Sequence, residues 1–223
     1  MGRLRRGVVR VGGTVRRPAG ANTGFVAELL VHLECASFDG APRFQGYDER
    51  GREMLGFIEG DAPSDCHTII WTDDQIIASM QLLRRFHDQT ADGLLAAGTE
   101  VVCHNDYGPW NLVWRAGLPV AIIDFDNAAP GRRLDDLGYA AWKHLNLGLV
   151  ELPVSEQRRR LQVLAEGYGA PPDHELLLAI CEAQAVMRAL IEMGPTGALR
   201  DHAVTQIIRE QRWLETHSLA LLA

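Results

Sequence analysis

The chain has 223 residues, of which 47% are hydrophobic and 23% charged, a composition that excludes wholesale disorder and gives length enough for one sizeable core. No apolar run approaches the roughly 20 residues that a membrane-spanning helix needs, and four scattered cysteines (Cys35, Cys66, Cys103, Cys181) have neither zinc-site spacing nor the density of a disulfide scaffold. The net charge of −7 is polarised, since the first 27 residues hold six Arg and no acidic residue.

That basic opening lacks aromatic interleaving and any finger or helix-turn-helix pattern, so no nucleic-acid partner is expected. Arg10, Arg16 and Arg17 interrupt it before an apolar signal core develops, so no secretion signal, no membrane and a cytoplasmic location are expected. The acidic body favours a cationic small substrate over an anionic one. Nothing in the sequence sets an oligomeric state.

"GVVRVGGTVRRP", residues 7–18, alternates on both sides of Gly12-Gly13, which predicts a β-hairpin. "TGFVAELLVHLE", residues 23–34, has helical spacing behind Thr23 as the expected cap. Two further strands follow, joined by a turn at "DERG", and "DAPSDCHT", residues 61–68, reads as a loop and lobe boundary. Thr72 and Gln75 form a capping-box pattern that opens a helix running to about His87. "VVCH", "NLVW" and "PVAIIDF" read as short strands. From about Leu134 the pattern is helical, with Gly194-Pro195 as a stop between the last two helices. The expectation is a reduced N-terminal lobe over 1–60 and a mainly helical lobe over 61–223.

Between the short strands lies "HNDYGPWN", a His104-x-Asp106-x4-Asn111 spacing followed thirteen residues later by Asp124 at the end of "VAIID". A carboxylate at the end of an apolar strand is held rigidly at the surface. Asn111 and Asp124 offer hard oxygen ligands suited to Mg²⁺, which leaves Asp106 to accept a proton from a hydroxyl. Two readings of Asp126 stay open, a metal or supporting carboxylate and a solvated one.

These residues, with "IIDFDNAAPGRRLDDLGYAAW", "QLLRRFHD", the first hairpin and "FDGAPRFQGYDERGREMLGFIEG", resemble the aminoglycoside phosphotransferase and choline-kinase-like family over most of residues 7–145. The resemblance implies an α+β, protein-kinase-like two-lobed fold: a small N-terminal sheet with one helix, and a larger mainly helical C-terminal lobe. It implies a kinase that moves the γ-phosphoryl of ATP or GTP, with Mg²⁺, to a hydroxyl of an aminoglycoside-like or other cationic alcohol. The alternative is a kinase-like binding protein without turnover. Carried over by position, Asp106 is the base, His104 supports its loop, Asn111 and Asp124 hold the metal, and Gly56, Phe57 and Ile58 offer backbone groups to the nucleotide base. Asp136 matches a residue that braces the catalytic loop.

The chain departs from that pattern in its first lobe. The fold ordinarily holds the α- and β-phosphates with a strand lysine, but the only lysine here is Lys143. An arginine must substitute, with Arg16 preferred because alternation puts it on the face of Thr14, Arg17 second, and Glu28 as acidic partner. Only about six residues precede "GVVRV", so either the cover over the phosphates is reduced or the chain is truncated at its N-terminus.

Overall fold

In the computed structural model, which describes residues 7–64, 66 and 68–223, the chain alternates short strands and helices in the α+β manner. Arg3, Arg5 and Arg6 of the basic opening, and Asp65 and His67 of the 61–68 loop, lie outside the described residues. Packing divides the chain into two compact units, Met1–Cys66 with Gln81–Arg132, and His67–Met80 with Arg133–Ala223.

The first unit opens with β1 (Val9–Val11) and β2 (Thr14–Pro18), turned at Gly12-Gly13 as the alternation predicts. β3 (Phe44–Tyr47) and β4 (Arg52–Gly56) are joined by the Asp48–Gly51 turn, and the four strands form an antiparallel sheet in the order β1-β2-β4-β3. The β2–β4 register sets Val15 opposite Leu55 and Arg17 opposite Glu53. α1 (Thr23–Cys35) buries Val26, Leu29, Leu30 and Leu33, each worth about 1.5–3 kcal/mol relative to exposure. Its cap is Asn22, not Thr23: the Thr23 hydroxyl accepts instead from the Gly20 N–H at 2.8 Å.

α2 (Asp73–Thr90) opens with the expected capping box, Gln75 N–H to Thr72 Oγ1 and Thr72 N–H to Gln75 Oε1. It runs one turn beyond His87 because the Thr90 hydroxyl donates back to Phe86 and His87 carbonyls and accepts from the Val102 N–H, which fastens the helix end to the next strand. β5 (Val101–Cys103) pairs with β8 (Ala129–Gly131), and β6 (Leu112–Arg115) with β7 (Leu118–Ile122). The "APG" of β8 has turn composition and carries no strand signal in the sequence; β8 has one partner strand, and an edge tolerates a proline. Phe86 and Phe125, both buried, meet edge-to-face at 5.6 Å.

The second unit holds the first turns of α2 with α3 (Arg133–Leu145), α4 (Val154–Tyr168), α5 (His174–Glu192) and α6 (Ala198–Leu222). α3 and α5 approach so closely at Gly138 that a Cβ there would sit 2.5 Å from the Ala179 backbone. α5 ends just before Gly194-Pro195, as expected. No helix among the described residues is long and apolar enough to cross a membrane.

Candidate active site

The segment from β5 to β8 brings the polar residues of 104–126 together. Buried β5 ends at Cys103, and the chain turns at Asn105 in the left-handed region (φ 61°), which Asn tolerates because its short amide bonds locally. Its amide donates to the Asn127 carbonyl at 2.9 Å. His104 is fully buried and packs edge-to-face on Phe125 at 5.0 Å. Its Nδ1 accepts from the Asp106 N–H (3.3 Å), so the ring proton sits on Nε2, which donates to the Ile123 carbonyl (3.0 Å). One imidazole thus ties the loop holding Asp106 to the strand that leads into Asp124.

Asn111, only 6% exposed, makes a second tie. Its Nδ2 donates to the Asp106 carboxylate and to the Asp106 backbone carbonyl, both at 2.9 Å, while its own carbonyl accepts from the Ile123 N–H at 2.9 Å. With Nδ2 committed, Oδ1 is the acceptor that Asn111 presents. Gly108 permits this tight loop because the Trp110 indole occupies the place of a Cβ. Asp124 follows β7 in the left-handed region (φ 63°), and its side chain is 41% exposed. Asp126 lies one short turn further on, where the Asn22 amide binds the Asp126 and Ala128 carbonyls.

The cation that reaches these carboxylates is Arg17. Its Nε donates to Glu53 at 2.7 Å, Nη1 to Asp124 at 3.1 Å and Nη2 to Asp126 at 2.8 Å. Arg16 lies on the opposite face of β2 and pairs with Asp48 at 3.5 Å, which corrects the preference for Arg16. Alternation is obeyed, but the inward face is marked by Val15, which pairs with buried Leu55, and not by Thr14. The acidic partner is also corrected: Glu28 on α1 is exposed, whereas Glu53 on β4 is 1% exposed and faces Arg17 through strand register. No local pattern in the sequence marks Glu53; only the β2–β4 register does. Asp126 is an ion-pair member and not a solvated residue.

The linker after β4 has two of its backbone donors engaged. The Gly56 N–H donates to the Arg43 carbonyl (2.8 Å) and the Phe57 N–H to the Gly13 carbonyl (2.9 Å), so both are spent inside the sheet. Arg10 covers the Phe57 ring at 3.5 Å and pairs with Glu59 at 2.9 Å. Of the three residues expected to meet a base, Ile58 keeps an N–H outside these sheet bonds.

Three carboxylates around one guanidinium leave two negative charges in excess, which matches a divalent cation. Asp124, Asp126 and Asn111 supply hard oxygen donors, the class that Mg²⁺ takes. The residues present therefore fit the ion.

The model of the phosphotransferase enzyme family matches residues 6–190. The trifolitoxin immunity protein of Rhizobium leguminosarum bv. trifolii is 36% identical over 187 residues, 73% of this chain and 70% of that one. Among solved structures, a choline/ethanolamine kinase family protein from Mesorhizobium loti superposes with a TM-score of 0.62 at 13% identity, covering 96% of this chain and 86% of its own. A spectinomycin phosphotransferase in complex with ADP and spectinomycin gives 0.55 at 13% identity, covering 87% and 80%. These likenesses show the protein-kinase-like fold.

Proposed function

We propose a function on one premise: the chain belongs to the phosphotransferase enzyme family. The protein moves the γ-phosphoryl of ATP or GTP to a hydroxyl of a small molecule. The hydroxyl oxygen forms the new bond to phosphorus, the bond from the γ-phosphorus to the bridging oxygen breaks, the hydroxyl proton passes to Asp106, and the nucleoside diphosphate leaves. His104 orients the loop and Asn111 fixes the Asp106 carboxylate for that proton. Asp124 and Asn111 would hold Mg²⁺, which would supply charge neutralisation to the phosphates. Arg17, steadied by Glu53, takes the place of the strand lysine, and its planar fork suits phosphate. Residues 1–60 serve the nucleotide, with Ile58 as linker donor to the base, and residues 61–223 serve catalysis and the acceptor, in a cytoplasmic protein.

The observation that carries this reading is the Asn111 tie: one residue binds the Asp106 carboxylate by its side chain and the backbone before Asp124 by its carbonyl. A hydrogen-bonded loop of Asx residues capping its own turns would not need a buried Arg17 drawn from a distant strand. The net charge of −7 and the likeness to a spectinomycin phosphotransferase support an aminoglycoside-like or other cationic alcohol as acceptor. Because a relative is named as a trifolitoxin immunity protein, that toxin belongs in the acceptor set. The test is a phosphorylation screen of hydroxyl compounds with Mg²⁺ and each nucleotide; transfer of labelled γ-phosphate to one class of compound is expected. Nucleotide binding with no transfer to any compound would favour the second reading, a kinase-like binding protein without turnover. The observation on that side is the missing strand lysine, since Lys143 is the only lysine of the chain.

A further inference from the structure

We infer that Arg17 is a built-in counter-cation: its guanidinium pairs with Asp124 and Asp126 until a divalent cation binds them, and is thereby released toward phosphate. The inference rests on the metal and nucleotide reading above and adds an order of events to it.

The three bonds of Arg17 are unequal in surroundings. The inner one, Nε to Glu53 at 2.7 Å, joins side chains only 7% and 1% exposed. The outer two reach Asp124 and Asp126, whose side chains are 41% and 18% exposed, at 3.1 and 2.8 Å. Attraction is strongest where water is scarce and weakest where it competes, so Glu53 is the pivot and the two aspartates are the contacts that exchange. A guanidinium stays charged at any physiological pH. It cannot yield to a second cation by losing a proton, so it yields by turning.

Glu53 supplies the place to turn to. Its Oε1 is buried and, among the described residues, has no hydrogen-bond partner, while Oε2 already holds Nε. A carboxylate accepts two parallel N–H bonds from an arginine fork. Rotation about the Nε bond sets one terminal nitrogen on Oε1 and turns the other outward, away from the aspartates. The buried acceptor is satisfied in that second state, which offsets part of the cost of leaving Asp124 and Asp126.

The experiment reads Mn²⁺ binding to the full chain without nucleotide, by the loss of the free-ion electron paramagnetic resonance signal. Arg17→Met alone would strand Glu53 as a buried charge, so the main variant is Arg17→Met with Glu53→Met, which leaves net charge unchanged. This pair is expected to bind Mn²⁺ about tenfold more tightly than wild type, the step of one decade in dissociation constant. Arg17→Lys, which keeps the charge and its bond to Glu53 but reaches one aspartate at most, is expected to tighten binding by a smaller factor and keeps the idea testable if the double variant does not fold. Arg16→Met is expected to leave Mn²⁺ affinity unchanged. Equal or weaker binding by the Arg17 variants, or equal tightening by Arg16→Met, would overturn the inference. Because no nucleotide or acceptor is present, either result leaves the phosphotransferase reading to its own test.

Discussion

Two polar networks meet at Asp124, and they are built differently. Within residues 101–127 the ties are short: Asn111 binds Asp106 five residues away, and His104 binds Ile123 nineteen away. The sheet and linker over 9–61 work at long range, with Arg17 reaching Glu53 across 36 positions and Asp124 across 107. The first network is fixed by one loop and the strands that flank it. The second depends on strand register, where a slip of one residue would exchange Arg17 for Arg16 on the inward face.

The sharpest way to break that contrast is to remove each arginine of the pair. Arg17→Ala leaves Glu53 buried without its partner and is expected to cost about 3–5 kcal/mol. Arg16→Ala loses a partly exposed ion pair and is expected to cost about 1 kcal/mol or less; paired denaturant titrations measure both. Similar losses for the two would mean that the inward face has been misassigned.

Two glycines sharpen the comparison at smaller scale. At Gly60 the backbone has φ 144°, and a Cβ would lie 2.6 Å from the Trp114 carbonyl, where the linker bridges to β6. Gly60→Ala meets backbone that cannot move freely and is expected to destabilise by about 3 kcal/mol. At Gly108 the obstacle is the Trp110 side chain at 2.4 Å, which can shift, so Gly108→Ala is expected to cost about 1 kcal/mol. Thermal melting of the two variants ranks them.

The smallest effect is a pH dependence on the sheet side. The Arg52 guanidinium beside Asp48 holds its carboxyl down, from 3.8 to about 2. A depressed carboxyl contributes stability above its unfolded value and loses it as pH falls through the folded one. Wild type and Asp48→Asn are therefore expected to differ in stability above pH 4 and to converge as pH approaches 2. A gap that stays constant down to pH 2 would show that Asp48 acts through shape and not through charge.

What the sequence made legible follows the same division. The hairpin turn at Gly12-Gly13, the capping box at Thr72 and Gln75, and the stop at Gly194-Pro195 are all set by neighbours, and all are found in place. His104, Asp106, Asn111 and Asp124 could be picked out together because their spacing lies within one segment. Arg17 could be narrowed to one of two adjacent residues, but the deciding fact, Val15 against Leu55, needs the β4 register. Glu53 has no local signal, and Glu28 sits on a helix that turns it to solvent. Gly56, Phe57 and Ile58 were legible only as a linker by resemblance, while the bonds that engage the Gly56 and Phe57 N–H groups, to Arg43 and Gly13, lie at a distance no local rule reaches.

The central claim is that Asp106 takes the proton of an acceptor hydroxyl. Once the screen has identified an acceptor, the direct measurement is single-turnover transfer of γ-phosphate by Asp106→Asn beside nucleotide binding by the same variant. The account predicts unchanged Mg²⁺-nucleotide affinity and transfer slowed by about 10²–10⁴-fold, the range of a general base. Full-rate transfer by Asp106→Asn would contradict it.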